Sequence, residues 1–212
     1  MKSILCFGDS NTWGYDPATK TRFSRNIRWT GVLQNCLEDD FYIIEEGLNG
    51  RTTNIDEREE HKLGYFRKNR NSLDLLAGII ESHYPLDLIV VMLGTNDLKT
   101  NFNRSANEIA EDMKLVCKTI ISNEYFNSKS LLLVSPTHIQ EDSDIILDSF
   151  INTNFKAVSL TKLYKDISVE LGIHFLDAAQ IVHINEIDGI HWDANQHNDF
   201  AVALANKIKL LI

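Results

Sequence analysis

The segment LDLIVVML at residues 86–93 is the clearest strand in the sequence. It is apolar at every position except Asp87, and such a run is typical of a central strand of a parallel sheet, which is buried on both faces. Shorter apolar runs predict further strands of the same sheet at residues 4–7, 41–44, 131–134 and 173–176.

Apolar residues at helical spacing fill the segments between these strands. The predicted helices lie around residues 29–37, 73–80, 109–120, 144–171 and 200–211. Strands that alternate with helices predict an α/β protein, in which right-handed crossovers place helices on both faces of a parallel sheet. No repeat, low-complexity tract or Pro/Gly linker interrupts the pattern, so we predict a single domain over residues 1–212.

Composition and charge limit the partners of this chain. The formal net charge is −9, which disfavours nucleic acid, because a nucleic-acid groove needs clustered Lys and Arg to meet phosphates. No apolar segment approaches the length of a membrane span, and the first residues lack the pattern of a signal peptide. We therefore expect a cytoplasmic protein with no nucleic-acid or membrane partner.

The cysteines do not follow a spacing that suits zinc or a disulfide framework. Cys6, Cys36 and Cys117 each lie in an apolar pattern, which predicts buried free thiols.

In an open parallel sheet, ligands bind beyond the carboxyl ends of the strands. The first strand ends in GDSNT at residues 8–12, where a turn can present the Ser10 hydroxyl at the mouth of the sheet. The alternative is that Asp9 or Ser10 only caps a helix. Thr12 stands where the usual nucleophile elbow has a second glycine, so this segment alone leaves both interpretations open.

The next two strand ends can supply hydrogen-bond donors. EEGLNGR at residues 45–51 contains Gly50, whose backbone N–H can approach a substrate oxygen closely, although a simple turn is the alternative. GTND at residues 94–97 contains Asn96. Its side-chain amide can donate to the same oxygen, unless Asn96 or Asp97 serves as a helix cap.

The segment DGIHW at residues 188–192 predicts a general base. An acid at Asp188, three residues before His191, can hold one imidazole nitrogen and leave the other facing a serine. A serine hydroxyl is inert at its own pKa and needs such a base. A structural role is the alternative for a lone histidine, and we interpret the others, which lack this preceding acid, as surface or core residues: His61, His83, His138, His174, His183 and His197.

A metal site is the competing chemistry near the C-terminus, where Asp188, His191, Asp193 and His197 lie close in sequence. However, His191 and His197 are six positions apart and would not share a helix face, and no HExxH or CxxC spacing occurs. We therefore expect no metal.

Together these segments resemble the SGNH (GDSL) hydrolase family, which is named for a Ser, Gly, Asn and His in four blocks, matched here by Ser10, Gly50, Asn96 and His191. The segments that resemble its bacterial arylesterases and acyltransferases are GDSNTWGY, IRWTGVL, EEGLNGRTTNID, PLDLIVVMLGTNDLK and DGIHWDANQH. They follow in order over nearly the whole chain. The resemblance implies a flavodoxin-like three-layer α/β/α sandwich with a central five-stranded parallel sheet.

The resemblance also implies a serine esterase for short-chain acyl groups, acetyl especially, that hydrolyses small acyl esters or transfers their acyl group to alcohols, without a cofactor. The implied triad is Ser10, His191 and Asp188. The implied oxyanion hole combines the backbone N–H groups of Ser10 and Gly50 with the side chain of Asn96. Members of this subgroup form homo-oligomers of up to eight subunits, so a homo-oligomer is expected.

Three residues adjoin the implied catalytic groups and are predicted to line the substrate pocket: Asn11, Thr95 and Ile190. The chain departs from the family at Asn11, where the family name expects Leu, and in the charged stretch 57–71, where a more compact loop is expected. A carbohydrate (xylo-oligosaccharide) acetylesterase is one alternative, and a non-catalytic small-molecule binding module on the same fold is another. The full set of Ser10, Asn96, Asp188 and His191 favours an enzyme, because a binder does not need it.

Overall fold

A computed structural model of the chain describes residues 1–56, 60–61, 65–66, 68–143, 146–184 and 187–212. Its strands are β1 (Lys2–Gly8), β2 (Tyr15–Asp16), β3 (Thr21–Arg22), β4 (Phe41–Gly47), β5 (Glu60–His61), β6 (Tyr65–Phe66), β7 (Leu88–Met92), β8 (Leu131–Ser135) and β9 (His174–Asp177). Its helices are α1 (Ser10–Trp13), α2 (Trp29–Leu37), α3 (Ser72–His83), α4 (Ala106–Ile121), α5 (Asn154–Leu171) and α6 (Ala194–Ile208).

Five strands form one parallel sheet in the order β4-β1-β7-β8-β9. The predicted α/β fold with a central five-stranded parallel sheet is therefore confirmed. After β1 the chain forms β4 on one side and then crosses to β7 on the other side of β1. The strand order thus reverses at β1, and a crevice opens there at the carboxyl ends of the strands.

Helices cover both faces of the sheet. α3, α4 and α5 pack on one face, and α2 and α6 pack on the other. Along β7, Ile89 and Val91 contact the first layer, whereas Val90 and Met92 contact the second. Successive strand residues point to opposite faces, so a strand covered on both sides has to be apolar throughout. This is why residues 86–93 predicted the fold.

The predicted helix over residues 144–171 begins later than expected. Residue 144 lies outside the described residues, and α5 starts at Asn154. The Glu141 carboxylate accepts hydrogen bonds from the backbone N–H groups of Thr153 and Asn154 at 2.6 and 2.7 Å, which satisfies donors at the helix start. The preceding loop contains a short 3-10 helix, Asp148–Phe150. Leu147 and Phe150 continue the helical spacing, and the pattern therefore extended the predicted helix too far.

Other expectations need smaller corrections. The central strand covers only Leu88–Met92, although Leu86 and Leu93 on either side are also buried. Cys36 is half-buried, so the expectation of three buried thiols is wrong at that position. Burial raises the pKa of the Cys117 thiol to about 12. In the described part of the chain, no helix has both the length and the apolar character to cross a membrane.

Candidate active site

Ser10 is placed by a tight junction between a strand and a helix. It is the first residue of α1, and only Asp9 separates it from the end of β1. Asp9 occupies the N-cap position, where its carboxylate accepts a hydrogen bond from the backbone N–H of Asn11 at 3.0 Å. The two interpretations of this segment therefore coexist, because Asp9 caps the helix while Ser10 lines a cavity at the carboxyl end of the sheet.

His191 lies within hydrogen-bonding distance of both Ser10 and Asp188. Its Nε2 is 2.9 Å from Ser10 Oγ, and its Nδ1 is 2.6 Å from Asp188 Oδ2. Proton transfer to a general base requires heavy atoms about 2.6–3.2 Å apart. A neutral imidazole that donates through Nδ1 to the carboxylate presents the lone pair of Nε2 to the Ser10 hydroxyl. The arrangement can therefore take the proton of Ser10.

Asp188 is held by the turn that also carries His191. Its Oδ1 accepts hydrogen bonds from the backbone N–H groups of Ile190 at 3.0 Å and His191 at 2.8 Å. Burial opposes ionisation of this carboxyl, but the side chain of His191 and these N–H groups outweigh burial and hold the pKa of Asp188 below its ordinary value. Asp188 is therefore an anion at neutral pH, which favours a protonated imidazole during reaction.

Gly50 and Asn96 line the same cavity as Ser10 and His191. Gly50 has a φ of 80°, a left-handed conformation that favours glycine. The Asn96 side-chain Nδ2 donates to the backbone carbonyl of Arg51 at 3.1 Å. An amide nitrogen carries two hydrogens, so this bond orients Asn96 and leaves a second N–H for a substrate oxygen.

A buried arginine fixes the loop that carries Gly50. The Arg51 guanidinium donates to the carbonyl of Gly8 at 2.9 Å and also to that of Glu46, and it lies 4.0 Å from the centre of the Phe7 ring. These contacts join the ends of β1 and β4. Burial lowers the pKa of Arg51 to about 10, so the side chain stays charged at neutral pH.

A second buried group connects the Gly50 loop to Asn96. The carboxylate of Asp97 accepts hydrogen bonds from the Thr53 hydroxyl at 2.6 Å, from the Thr53 backbone N–H, and from Arg104 at 3.0 Å. Burial raises the pKa of Asp97 to about 6, although Thr53 and Arg104 oppose the rise. The two loops that carry the expected oxyanion donors are therefore fixed to each other.

The cavity around Ser10 has a volume of about 160 Å³. This is below the range of about 300–1,000 Å³ that is usual for small-molecule pockets. Its walls are formed by Ser10, Tyr15, Asn49, Gly50, Thr95, Asn96, Lys99, Leu147, Phe150, Ile190 and His191. A larger cavity, about 550 Å³, lies at the opposite end of the sheet, lined by residues such as Met1, Phe41 and Ile212. The groups poised for proton transfer are in the smaller one.

The structure brings most of the predicted site residues together. Thr95 and Ile190 line the cavity as expected, and Asp188 lies behind His191. Asn11 does not line the cavity, which corrects the prediction for this residue. Its amide instead forms hydrogen bonds with the backbone of Ile190 and Trp192.

Several residues that line the cavity were not predicted from the sequence. Tyr15, on the β2–β3 hairpin, places its ring 4.4 Å from the imidazole of His191. Leu147 and Phe150 form an apolar wall from the loop before α5. Both residues lie in the segment that was predicted as a helix, so they were not expected at the site. Asn49 adjoins Gly50, and Lys99 follows GTND closely, so proximity to those motifs was the available signal. The charged stretch 57–71, where a more compact loop was expected, lies partly outside the described residues.

Two residues of the alternative metal site, Asp193 and His197, form other contacts. Asp193 caps α6, where its carboxylate accepts from the backbone N–H of Gln196 at 2.9 Å. His197 is in the core, and its Nδ1 accepts from the backbone N–H of Trp29 at 3.2 Å. Burial lowers the pKa of His197 to about 3. Among the residues that the structure describes, no group of three or more His, Cys, Asp or Glu could hold a metal ion.

The chain is similar to known proteins in both sequence and structure. Residues 6–199 match the model of the GDSL-like lipase/acylhydrolase family. The native aryl esterase of M. smegmatis is 34% identical, with a TM-score of 0.88 and 100% of each chain covered. Est24, a carbohydrate acetylesterase from Sinorhizobium meliloti, is 32% identical, again with a TM-score of 0.88 and 100% of each chain covered.

A more distant structure shares the fold alone. It is a member of the lipolytic protein G-D-S-L family from Veillonella parvula, with 16% identity, a TM-score of 0.70 and 100% of each chain covered. None of the curated protein sequences compared with the chain matches it.

Proposed function

Because this chain belongs to the GDSL-like lipase/acylhydrolase family, whose SGNH fold it shares with aryl and carbohydrate esterases, we propose that it is a serine esterase for short acyl groups. The observation that carries this proposal is the continuous line of contacts from Ser10 through His191 to Asp188, at 2.9 and 2.6 Å. Gly50 and Asn96 line the cavity that this line reaches.

The proposed reaction begins with transfer of the Ser10 hydroxyl proton to Nε2 of His191. The serine oxygen then forms a bond to the ester carbonyl carbon, and the carbonyl oxygen becomes an oxyanion. The backbone N–H groups of Ser10 and Gly50 and the Asn96 amide donate hydrogen bonds to it. Such preorganised donors stabilise charge that develops only in the transition state, which accelerates the chemical step rather than binding.

Collapse of this intermediate breaks the bond to the alcohol oxygen. The protonated His191 gives its proton to that oxygen, and the alcohol leaves behind an acyl group on Ser10. A water molecule, or a second alcohol, then attacks the acyl carbon while His191 takes its proton. Collapse of the second intermediate returns the proton to Ser10 and releases a carboxylic acid or a new ester. Throughout the cycle the Asp188 anion stabilises the protonated imidazole.

The size of the cavity supports small acyl groups. A volume of about 160 Å³ has room for an acetyl or propionyl group beside a small alcohol, but a longer chain extends into solvent. Each methylene that is buried contributes about 0.8 kcal/mol, and an exposed one contributes little. We therefore expect turnover of p-nitrophenyl acetate to exceed that of the octanoate clearly.

A carbohydrate acetylesterase is the second candidate. The observation that favours it is the likeness to Est24, which covers the full length of both chains. The residues that line the cavity also include the polar side chains of Tyr15, Asn49 and Thr95, which are suited to hydroxyls. Rates on acetylated xylo-oligosaccharides, measured beside phenyl and alkyl acetates, separate this candidate from an aryl esterase.

Active-site labelling tests the proposal directly. A serine-directed organophosphonate should modify Ser10, and Ser10→Ala should remove both ester turnover and labelling while the protein stays folded. Ser135 provides the matched control, because it is a buried serine at the end of β8 that donates to Asp177 instead of an imidazole. The Ser135→Ala variant should keep the ester turnover and the labelling of the wild type. Labelling at another residue, or an active Ser10→Ala variant, refutes the proposal.

Acyl transfer needs its own assay. Vinyl acetate and benzyl alcohol in buffer should give benzyl acetate alongside acetate if alcohols compete with water for the acyl group on Ser10. Leu147, Phe150 and Ile190 supply an apolar wall that an aromatic alcohol can contact. Acetate as the sole product confines the enzyme to hydrolysis.

A further inference from the structure

The Asn11 amide is bonded to the backbone on both sides of His191. Asn11 Nδ2 donates to the carbonyl of Ile190 at 3.3 Å, and its Oδ1 accepts from the backbone N–H of Trp192 at 3.2 Å. Asn11 is 3% exposed, so water cannot easily replace these bonds. Since Asn11 follows Ser10 directly, the bonds connect the segment of the nucleophile to the segment of the base.

Hydrogen bonds within the turn that carries His191, and bonds to two other segments, hold this turn in place. Asp188 accepts from two of its backbone N–H groups and contacts the imidazole itself. Gln140 donates to the carbonyl of Gly189 at 2.9 Å, and the Trp192 indole donates to Thr137 at 3.2 Å. Those two anchors attach the turn to the loop after β8. The bonds of Asn11 attach it to the end of β1, where Ser10 lies.

We infer that Asn11 is a positioning residue that sets the distance between Ser10 Oγ and His191 Nε2, an inference that rests on the proposed function. Without Asn11, the turn is anchored to the loop after β8 and can shift relative to Ser10. The contact between Asp188 and His191 persists, because both groups belong to the turn. Proton transfer from Ser10 therefore slows, whereas the Asp188–His191 pair stays intact.

Asn11 differs from the residue that the GDSL pattern has at this position. Leucine, which the GDSL pattern has at this position, can form neither bond, although its size is similar. The chain therefore uses a polar contact where a leucine offers packing alone. The substitution Asn11→Leu removes both hydrogen bonds with little change in volume.

A matched control exists at the other end of the sheet. The Gln34 amide donates to the carbonyl of Phe41 at 2.8 Å and accepts from the backbone N–H of Ile43 at 2.9 Å. It thus makes the same pair of bonds on either side of one residue, far from the candidate active site. Gln34→Leu should lower the melting temperature without altering the reaction.

The test compares both variants with the wild type for melting temperature, for kcat and KM on p-nitrophenyl acetate against pH, and for the rate of phosphonate labelling of Ser10. We expect Asn11→Leu to lower kcat by about 10- to 100-fold, since a displacement of about 1 Å can cost a factor of 10². KM and the midpoint of the pH profile should stay close to wild type. The labelling rate should fall by the same factor as kcat.

The outcomes are separable. Wild-type kcat and labelling in Asn11→Leu overturn the inference while the proposed function stands, and an equal loss in Gln34→Leu overturns it too. A shifted pH midpoint in Asn11→Leu also contradicts it, because the Asp188–His191 contact would then have changed. An inactive, unlabelled wild type refutes the proposed function, and the inference with it. If Asn11→Leu does not fold, Asn11→Ser, which is too short for either bond, is measured in its place, and a wild-type kcat there overturns the inference.

Discussion

Replacing the buried acid beside the nucleophile should change how stability depends on pH. Burial raises the pKa of Asp9 from 3.8 to about 6, although the Asn11 N–H, His191 and Arg51 oppose the rise. A raised acid pKa means that folding favours the protonated form. The contribution of this carboxyl to stability is therefore fully present below its unfolded pKa and is lost as the pH rises through about 6. The difference between 3.8 and about 6 corresponds to about 3 kcal/mol.

Asparagine at this position removes the ionisation and keeps the N-cap. Its side-chain oxygen can still accept from the Asn11 N–H, and asparagine caps helices as well as aspartate does. Asp9→Asn should therefore be close to wild type in stability at pH 4. At pH 8 it should be more stable than the wild type by about 3 kcal/mol.

Urea unfolding followed by tryptophan fluorescence at one-unit steps from pH 4 to pH 8 measures this difference. The exposed Asp39 gives the matched control, because Asp39→Asn removes a carboxylate on which no burial acts. A difference between Asp9→Asn and the wild type that does not vary with pH would refute the argument from burial. So would a difference that favours the wild type at alkaline pH.

Three further predictions concern the site. Asn96→Ala should lower kcat on p-nitrophenyl acetate by about 10²- to 10³-fold with little change in KM, as expected for a lost oxyanion donor; a near-normal kcat would remove Asn96 from that role. Asp188→Asn should lower kcat on the order of 10⁴-fold, because an amide holds the wrong imidazole tautomer; steady-state rates from pH 5 to pH 9 that match the wild type would contradict this. Gly189→Ala should lower both kcat and the melting temperature, since φ is 72° and a Cβ would lie 2.2 Å from the Gln140 carbonyl oxygen. Gly78→Ala, where a Cβ meets open space on α3, should instead stabilise the fold by about 0.5–1 kcal/mol, which thermal unfolding of both variants measures.

The sheet could be predicted from the sequence because the apolar pattern of a buried strand lies within the strand itself. A segment such as β7 has to be apolar at every position when helices cover both of its faces, and that pattern is visible without any partner. Ser10, Gly50, Asn96 and His191 could be grouped for a related reason, because the carboxyl ends of parallel strands meet at one edge of the sheet.

The parts that were missed depend on contacts between distant segments. Tyr15 reaches His191 only because a short hairpin folds over the end of the sheet. The start of α5 is set by Glu141, and periodicity cannot report a side-chain contact of that kind. Asn11 was expected in the cavity wall, but the direction of its amide is determined by Ile190 and Trp192, which are about 180 positions away in the chain.

The hydrogen bond between Ser10 and His191 joins residues 181 positions apart. Closing so long a loop costs entropy, and we expect this contact to form late when the chain folds, because non-local contacts form slowly. The proposed hydrolysis needs that bond, whereas fluorescence and circular dichroism respond to core packing and helices that can form without it. During refolding from urea, the return of ester turnover therefore marks the moment at which the two ends of the chain have met. A return of turnover that lags behind the optical signals would show that this contact forms after the core and the helices.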